Sequence, residues 1–172
     1  MNNKIISKKR EKKLAKDVNG KAHARSGGFW FKKSDASDIY YQYEDKFTHN
    51  LYYSINIDIL NKIEKEAKQV NKIPVLRFGF IKTQRDYVVM RIQDVFPLLP
   101  QDYFKNSPSF VNITGKSKRF DDESLYALYG SNVRMFITLN YEHFDKTYIL
   151  MYYKDFLELM LHERKLELLI SV

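Results

Sequence analysis

Cysteine is absent from this chain of 172 residues. Disulfides and thiolate zinc sites are therefore excluded. Any metal site must be built from carboxylates, histidine and carbonyl oxygens, a donor set that suits hard ions such as Mg²⁺ or Mn²⁺. No apolar run approaches the ~20 residues that a membrane span needs, and mean hydropathy is -0.49. The basic N-terminal stretch has no apolar h-region, so it does not read as a signal peptide. A Walker-type phosphate loop, a dinucleotide fingerprint and a nucleophile elbow are missing. The four histidines, His23, His49, His143 and His162, show no ligand pairing at helical spacing. With no membrane partner and no export signal, the expectation is a cytoplasmic protein. The lysine-rich, compact character is compatible with a phage or low-GC host, and then with the host cytoplasm.

What is present begins with charge. The net charge is +8, and nine Lys/Arg against two acids through Arg25 place +7 of it in the first 25 residues. A basic segment on a near-neutral body is the footprint of a polyanion partner, with a solvated terminus as the plain alternative. Hydrophobic residues make up 44% and aromatics 15%, enough for the core of one domain.

Periodicity predicts a first helix from a cap at Ser7 to about Val18, stopped by Gly20. Leu14, Ala15 and Val18 form its apolar stripe, Glu11 shares that stripe, and Lys8, Lys9, Lys12 and Lys13 lie around the rest. Gly27-Gly28 marks a turn, and Phe29-Trp30-Phe31 opens an extended segment. Ile39–Lys46 reads as a strand, with Tyr40, Gln42, Glu44 and Lys46 on one face and Ile39, Tyr41, Tyr43 and Asp45 on the other. A helix over about Ser54–Val70 follows, then strands Val75–Ile81 and Tyr87–Ile92. The order αββαββ predicts an α/β fold, a mixed sheet flanked by helices. Residues 97–130 read as an irregular excursion with a short helix near Asp122–Tyr129. Val133–Leu139 and Thr147–Tyr153 read as a strand pair, and Lys154–Leu169 as a closing helix. The expected organisation is thus a core over 1–96 and a C-terminal α+β extension over 97–172, packed on the same domain. Asp86-Tyr-Val-Val-Met-Arg-Ile-Gln-Asp94 lines up with Thr147-Tyr-Ile-Leu-Met-Tyr-Tyr-Lys-Asp155, compatible with a duplicated hairpin, although edge hairpins converge on such patterns.

The pattern with chemistry in it is Asp35-x8-Glu44-x-Lys46, with Ser26-Gly27-Gly28 upstream. Two carboxylates from different segments can ligate one divalent ion, with the backbone carbonyl of Asp45 as a further ligand. A bound ion polarises a phosphate oxygen and lowers the pKa of its water. Lys46 can position that water or stabilise developing negative charge. Glu11 can complete the site or reach a second ion. The plainer alternative is that Glu44 and Lys46 form a surface salt bridge and Asp35 is a turn aspartate. The tyrosines Tyr40, Tyr41, Tyr43, Tyr52 and Tyr53 are candidates to stack on bases or, more simply, to pack the sheet.

The order of helix with inward Glu, glycine turn, Asp and strand with E-x-K resembles the PD-(D/E)xK nuclease superfamily. More closely, it resembles the Holliday-junction-resolvase-like endonucleases of archaea and phages. Ser26-Gly-Gly-Phe-Trp-Phe-Lys-Lys-Ser-Asp35 is similar to their serine-glycine turn and aspartate, and Tyr43-Glu44-Asp45-Lys46-Phe-Thr48 to their E-x-K strand. Ser54-x-x-Ile57-x-x-Leu60 with Pro74-Val-Leu is similar to the helix and strand that follow. The resemblance covers about residues 7–94. It implies a restriction-endonuclease-like fold and a Mg²⁺- or Mn²⁺-dependent endodeoxyribonuclease acting on branched DNA in recombination or repair, with a possible homodimer. Asp35 and Glu44 would be metal ligands, Lys46 the catalytic lysine, Glu11 the first-helix glutamate and Ser26 the loop serine near the phosphate. Lys8, Lys9, Lys12, Lys13, Arg25, Ser26 and Lys33 would hold the DNA backbone. The competing readings are a nucleic-acid-binding module that keeps the fold without the reaction, and a structural or interaction protein. Two positions depart from the family pattern: Asp45 stands where an apolar or small residue is usual, and Ser34 where glycine or proline is. Asp45 predicts a wetter opposite face of the sheet.

Overall fold

The computed structural model describes residues 2–23, 34–95, 109–129 and 136–170. Arg25, Ser26, the Gly27-Gly28 turn, Phe29-Trp30-Phe31 and Lys33 lie outside the described residues. So do 97–108, in the expected excursion.

Helix α1 spans Asn3–Asp17. Its cap is Asn2, whose side chain accepts from the Lys4 N–H at 3.0 Å. Ser7 lies inside the helix, and its hydroxyl donates to Glu11 at 2.6 Å instead of capping. At the other end, Asn19 takes the left-handed conformation with φ 51°, and the Gly20 N–H closes the turn on Ala15 O at 2.8 Å. Gly20 is needed for space rather than for φ, because a Cβ there would stand 2.5 Å from Ser37 O. Short strands β1 (Lys21–Ala22) and β2 (Ala36–Ser37) lead to β3 (Tyr41–Thr48). Asp38 starts β3 by accepting from the Tyr40 and Tyr41 N–H groups at 2.9 and 2.7 Å.

Ser54 belongs to β4 (Tyr52–Asn56), not to a helix. Helix α2 (Ile57–Lys68) begins after Asn56, which caps the Asp58 N–H at 2.7 Å. Strands β5 (Ile73–Phe80) and β6 (Arg85–Arg91) form a hairpin, followed by the single turn α3 (Ile92–Val95). The excursion contains more regular structure than its sequence suggests, with β7 (Ser109–Ile113), β8 (Ser117–Asp121) and α4 (Asp122–Tyr129). Strands β9 (Phe136–Tyr141) and β10 (Lys146–Tyr152) and helix α5 (Tyr153–Ile170) complete the chain.

Eight strands form one mixed sheet in the order β1-β2-β3-β5-β6-β10-β9-β7, and β4 and β8 form a separate ribbon. The core and the extension thus share one sheet, joined where β6 pairs with β10. A large mixed sheet flanked by helices is the α/β architecture expected from the sequence. One face is buried under α1 and α5, around Leu14, Tyr41, Tyr43, Val88, Ile149 and Phe156. The other is buried under α2, α4 and the ribbon, around Ile57, Leu60, Leu76, Phe78, Leu125 and Leu150. No helix among the described residues is long and apolar enough to cross a membrane.

Candidate functional site

Strand β2 pairs with β3 for two residues, Ala36 against Tyr43 and Ser37 against Gln42. Asp35 comes just before this pairing, which brings it alongside Glu44. Its N–H donates to Tyr43 O at 3.0 Å, and its own Oδ2 accepts from the Asp45 N–H at 2.8 Å. The carboxylate thus takes the place of the ladder acceptor that β2 no longer supplies. A residue in a strand points its N–H and C=O to one side. The Asp45 carbonyl therefore opens on the same sheet edge as the Asp35 carboxylate.

Period two does for Glu44 and Lys46 what the sequence predicted. They stand on the α2 side of the sheet, beside Leu76 and Phe78 of β5, and Lys46 Nζ lies 2.5 Å from Glu44 Oε1. Glu44 and Asp35 are both buried, at 8% and 5% exposure, with Ser34 at 9%. Burial, together with the neighbouring Glu44 charge, pushes the Asp35 carboxyl up to about 6, against the opposing pull of the Asp45 N–H and Lys46. Two carboxylates sharing one lysine in a poorly solvated edge leave negative charge uncompensated, and a hard cation suits that donor set.

Glu11 is half-buried and engaged by Ser7. It adds a smaller upward push on Asp35. Among the described residues no group of three or more His, Asp or Glu side chains is placed to hold a metal ion. Glu11 therefore does not complete a three-carboxylate cluster with Asp35 and Glu44. Lys8, Lys9, Lys12 and Lys13 are all exposed on α1. Arg10, which belongs to the same basic segment, is not available to a partner. His49 sits off the site, its ring 3.0 Å from Asn3 Oδ1.

Asp45 corrects the expectation of a wet opposite face. Its side chain is 2% exposed and accepts from Arg10 Nε and Nη2, at 2.9 and 2.8 Å. Arg77, 1% exposed, lies 3.4 Å from Asp45 and 2.6 Å from Asp86. Arg10 reaches Asp86 as well, at 2.8 Å. The ring of Tyr153 covers the Arg77 guanidinium at 4.4 Å. A Cβ on Gly79 would fall 1.9 Å from Asp86 Oδ1 and 2.6 Å from Arg10 Nη1, so only glycine leaves room for this four-charge cluster. The face under α1 is therefore ionic and dry behind the E-x-K strand.

Spacing does not distinguish Tyr53 among the five candidate tyrosines, but the fold does. It stacks on Phe78 at 4.5 Å. Burial, with the nearby Glu44 charge, pushes its phenol up to about 12. Its position follows from β4 folding back over β5, which no local pattern signals. Tyr41 and Tyr43 are sheet-packing residues, 1% and 0% exposed.

No family model matches this chain, and no curated protein matches it. Among solved structures, the chain is similar to Hjc, a Holliday junction resolvase of the archaeal hyperthermophile Archaeoglobus fulgidus. The two are 16% identical over 70% of this chain and 89% of that one, with a TM-score of 0.43.

Proposed function

We propose that the chain is a metal-dependent endonuclease that hydrolyses phosphodiester bonds in branched or otherwise structured DNA. The observation that carries the reading is the adjacent pair of buried carboxylates, Asp35 and Glu44, with Lys46 on the face of Glu44. In this reading Asp35, Glu44 and the Asp45 carbonyl hold one Mg²⁺ or Mn²⁺. The ion supplies a polarised phosphate oxygen and a water of lowered pKa. Lys46 is held by Glu44 against the sheet, where its ammonium can orient the attacking water and offset charge that develops on the phosphate. Tyr53 and Phe78 form an apolar wall that keeps Glu44 in place. Glu11 acts on Asp35 through its charge rather than as a ligand in this reading. The test is incubation with four-way, flap and linear DNA in Mg²⁺, Mn²⁺ and EDTA. Cleavage that requires the metal supports the reading, and its absence on every substrate with metal bound leaves a nucleic-acid-binding module of the same fold.

Metal binding should depend on pH through Asp35. A proton on its carboxyl competes with the ion, so Mn²⁺ affinity should rise about tenfold between pH 5 and 7 and then level off. The folded pKa of Asp35 stands above its ordinary value of 3.8, at about 6. The metal-free protein is therefore favoured by protonation, and it should lose stability as pH rises from about 4 through 6. Calorimetric titration and thermal melts across that window, with and without Mn²⁺, check both trends. Asp35→Asn should remove both.

The α1 lysines supply the backbone grip in this reading, with Arg25, Ser26 and Lys33 as further contacts. Removing Lys8, Lys9, Lys12 and Lys13 together should flatten the slope of log K against log salt by about 0.9 for each phosphate that α1 no longer neutralises. Binding should weaken similarly on all sequences, because a grip on phosphates carries no base information. An unchanged slope would mean that α1 is merely solvated.

A further inference from the structure

The two halves of the large sheet are built alike. Strand β3 runs parallel to β5 and β7 parallel to β9; β5–β6 and β9–β10 are hairpins; β6 and β10 meet antiparallel at the centre. The central register pairs Val89 with Leu150, Tyr87 with Tyr152 and Arg91 with Tyr148. Moving Val89 onto Leu150, a shift of 61, therefore superposes each hairpin on the other about an axis through that pair. The same shift carries Gln84 onto Asp145, the left-handed turn residues with φ 58° and 48°. It carries the edge-to-face pair Phe80–Tyr87, at 5.9 Å and 85°, onto Tyr141–Tyr148, at 5.8 Å and 86°. It carries Arg85 onto Lys146, and each reaches the other half's helix, Arg85 to Asp122 at 3.3 Å and Lys146 to Glu64 at 2.6 Å.

The ribbon obeys the same axis. Ser54 faces Arg119, a shift of 65 that also carries the start of α2 at Ile57 onto the start of α4 at Asp122. The Ile57 N–H donates to Lys116 O at 2.8 Å, and the Asp122 N–H donates to Leu51 O at 2.9 Å, one bond and its two-fold image. Asn56 and Asp121, equivalent residues, cap the two helices. Convergence explains one hairpin resembling another, but not crossed bonds, caps and turn conformations that share one axis.

Following the registers locates the counterpart of the site. Glu44 pairs with Leu76, which maps onto Ile137, which pairs with Ser109; Lys46 maps through Phe78 and Leu139 onto Val111. Arg77 maps onto Thr138 and Asp45 onto Phe110, so the ionic cluster is missing there too. The central edge of β6, where a second copy of the first half would pair, is filled by β10.

We infer that residues 41–95 and 109–156 are two copies of one β-β-α-β-β-α unit fused about an internal two-fold axis, and that only the first copy keeps a reaction site. The chain thus works as a monomer that cuts one strand per bound complex, in place of a homodimer making paired cuts. The cutting part of this inference rests on the nuclease reading above; the monomer does not.

The experiment uses the full chain, free and on a labelled four-way junction, with Mn²⁺. Light scattering should give 20.6 kDa for the free protein and one chain per complex. Supercoiled plasmid should accumulate as nicked circles before any linear form. In mixtures of wild type with Glu44→Gln at saturating enzyme, cleavage should fall in proportion to the wild-type fraction. A stable dimer at micromolar concentration, linear product without a nicked stage, or inhibition steeper than proportional would overturn the inference. If no DNA is cut with any metal, the nuclease reading falls, and the mass alone upholds or overturns the single-chain pseudodimer.

Discussion

Glu44→Gln should lower the cleavage rate by about 10²–10³ or more while leaving DNA affinity unchanged or slightly higher. The substitution keeps the shape of the side chain and its place near Tyr53, but removes one of the two charges that would hold the ion in the proposed reading. If this surface accepts DNA, the substitution also removes a negative charge from it, so binding has no electrostatic reason to weaken. Asp35→Asn should behave in the same way. Its amide oxygen can still accept from the Asp45 N–H, the bond that Asp35 makes at 2.8 Å, so the edge of the sheet keeps its form. Gel-shift and cleavage assays on the same preparations, with a thermal melt, separate the outcomes. Equal loss of binding and cleavage, or a collapsed melt, would mean that these carboxylates are structural.

Arg77→Met should cost about 3–5 kcal/mol, the cost typical of breaking a buried ion pair from one side. Asp45 and Asp86 would then share Arg10 alone in a dry environment. At 2–4 °C per kcal/mol for a chain of this size, the melting temperature should fall by roughly 6–20 °C. Gly79→Ala should fall in the same range, since its Cβ would drive Asp86 away from Arg10. The double variant should cost less than the sum, because both disturb one cluster. Lys116→Ala is the control. Its ion pair with Asp58 spans 3.3 Å between side chains 66% and 57% exposed, and losing such a pair costs less than about 1 kcal/mol. An Arg77→Met effect as small as the control's would show that solvent reaches the cluster.

The face assignment of Glu44 and Lys46 was legible because a strand has only two faces, and Tyr41 and Tyr43 take the one packed under α1 and α5. The stripe of α2 was legible for the same kind of reason: Ile57, Leu60, Ile63 and Ala67 are all buried. Caps were less so. Ser7 and Ser54 have the right chemistry for helix starts, but Asn2 and Asn56 have it too, and the choice is made by Glu11 claiming the Ser7 hydroxyl and by β8 claiming Ser54 for a ribbon. Strands β7 and β8 are hard to read because five residues carry little pattern, and their partners β9 and β4 lie far away in the chain. Asp45 looks like a departure from an apolar position. Its partners Arg10 and Arg77 come from a helix and a neighbouring strand, and only the fold brings them together with Asp86. In the second half the hairpin echo is visible in the residues, whereas the axis is not, since a register is a property of paired strands and not of either alone.

The central seam has a consequence for how the chain folds. Each hairpin closes through a short turn, so β5–β6 and β9–β10 are local structures that can form on the microsecond scale. The bond line between them joins residues 61 apart, Val89 to Leu150, and the parallel pairs β3–β5 and β7–β9 also need long crossovers. Contacts of that sequence separation set the pace of folding. The meeting of the two hairpins at the middle of the molecule is therefore one of the steps expected to limit folding. Until they meet, β6 offers an open edge of Tyr-Val-Val-Met to any other strand in reach, including the same strand of a neighbouring nascent chain.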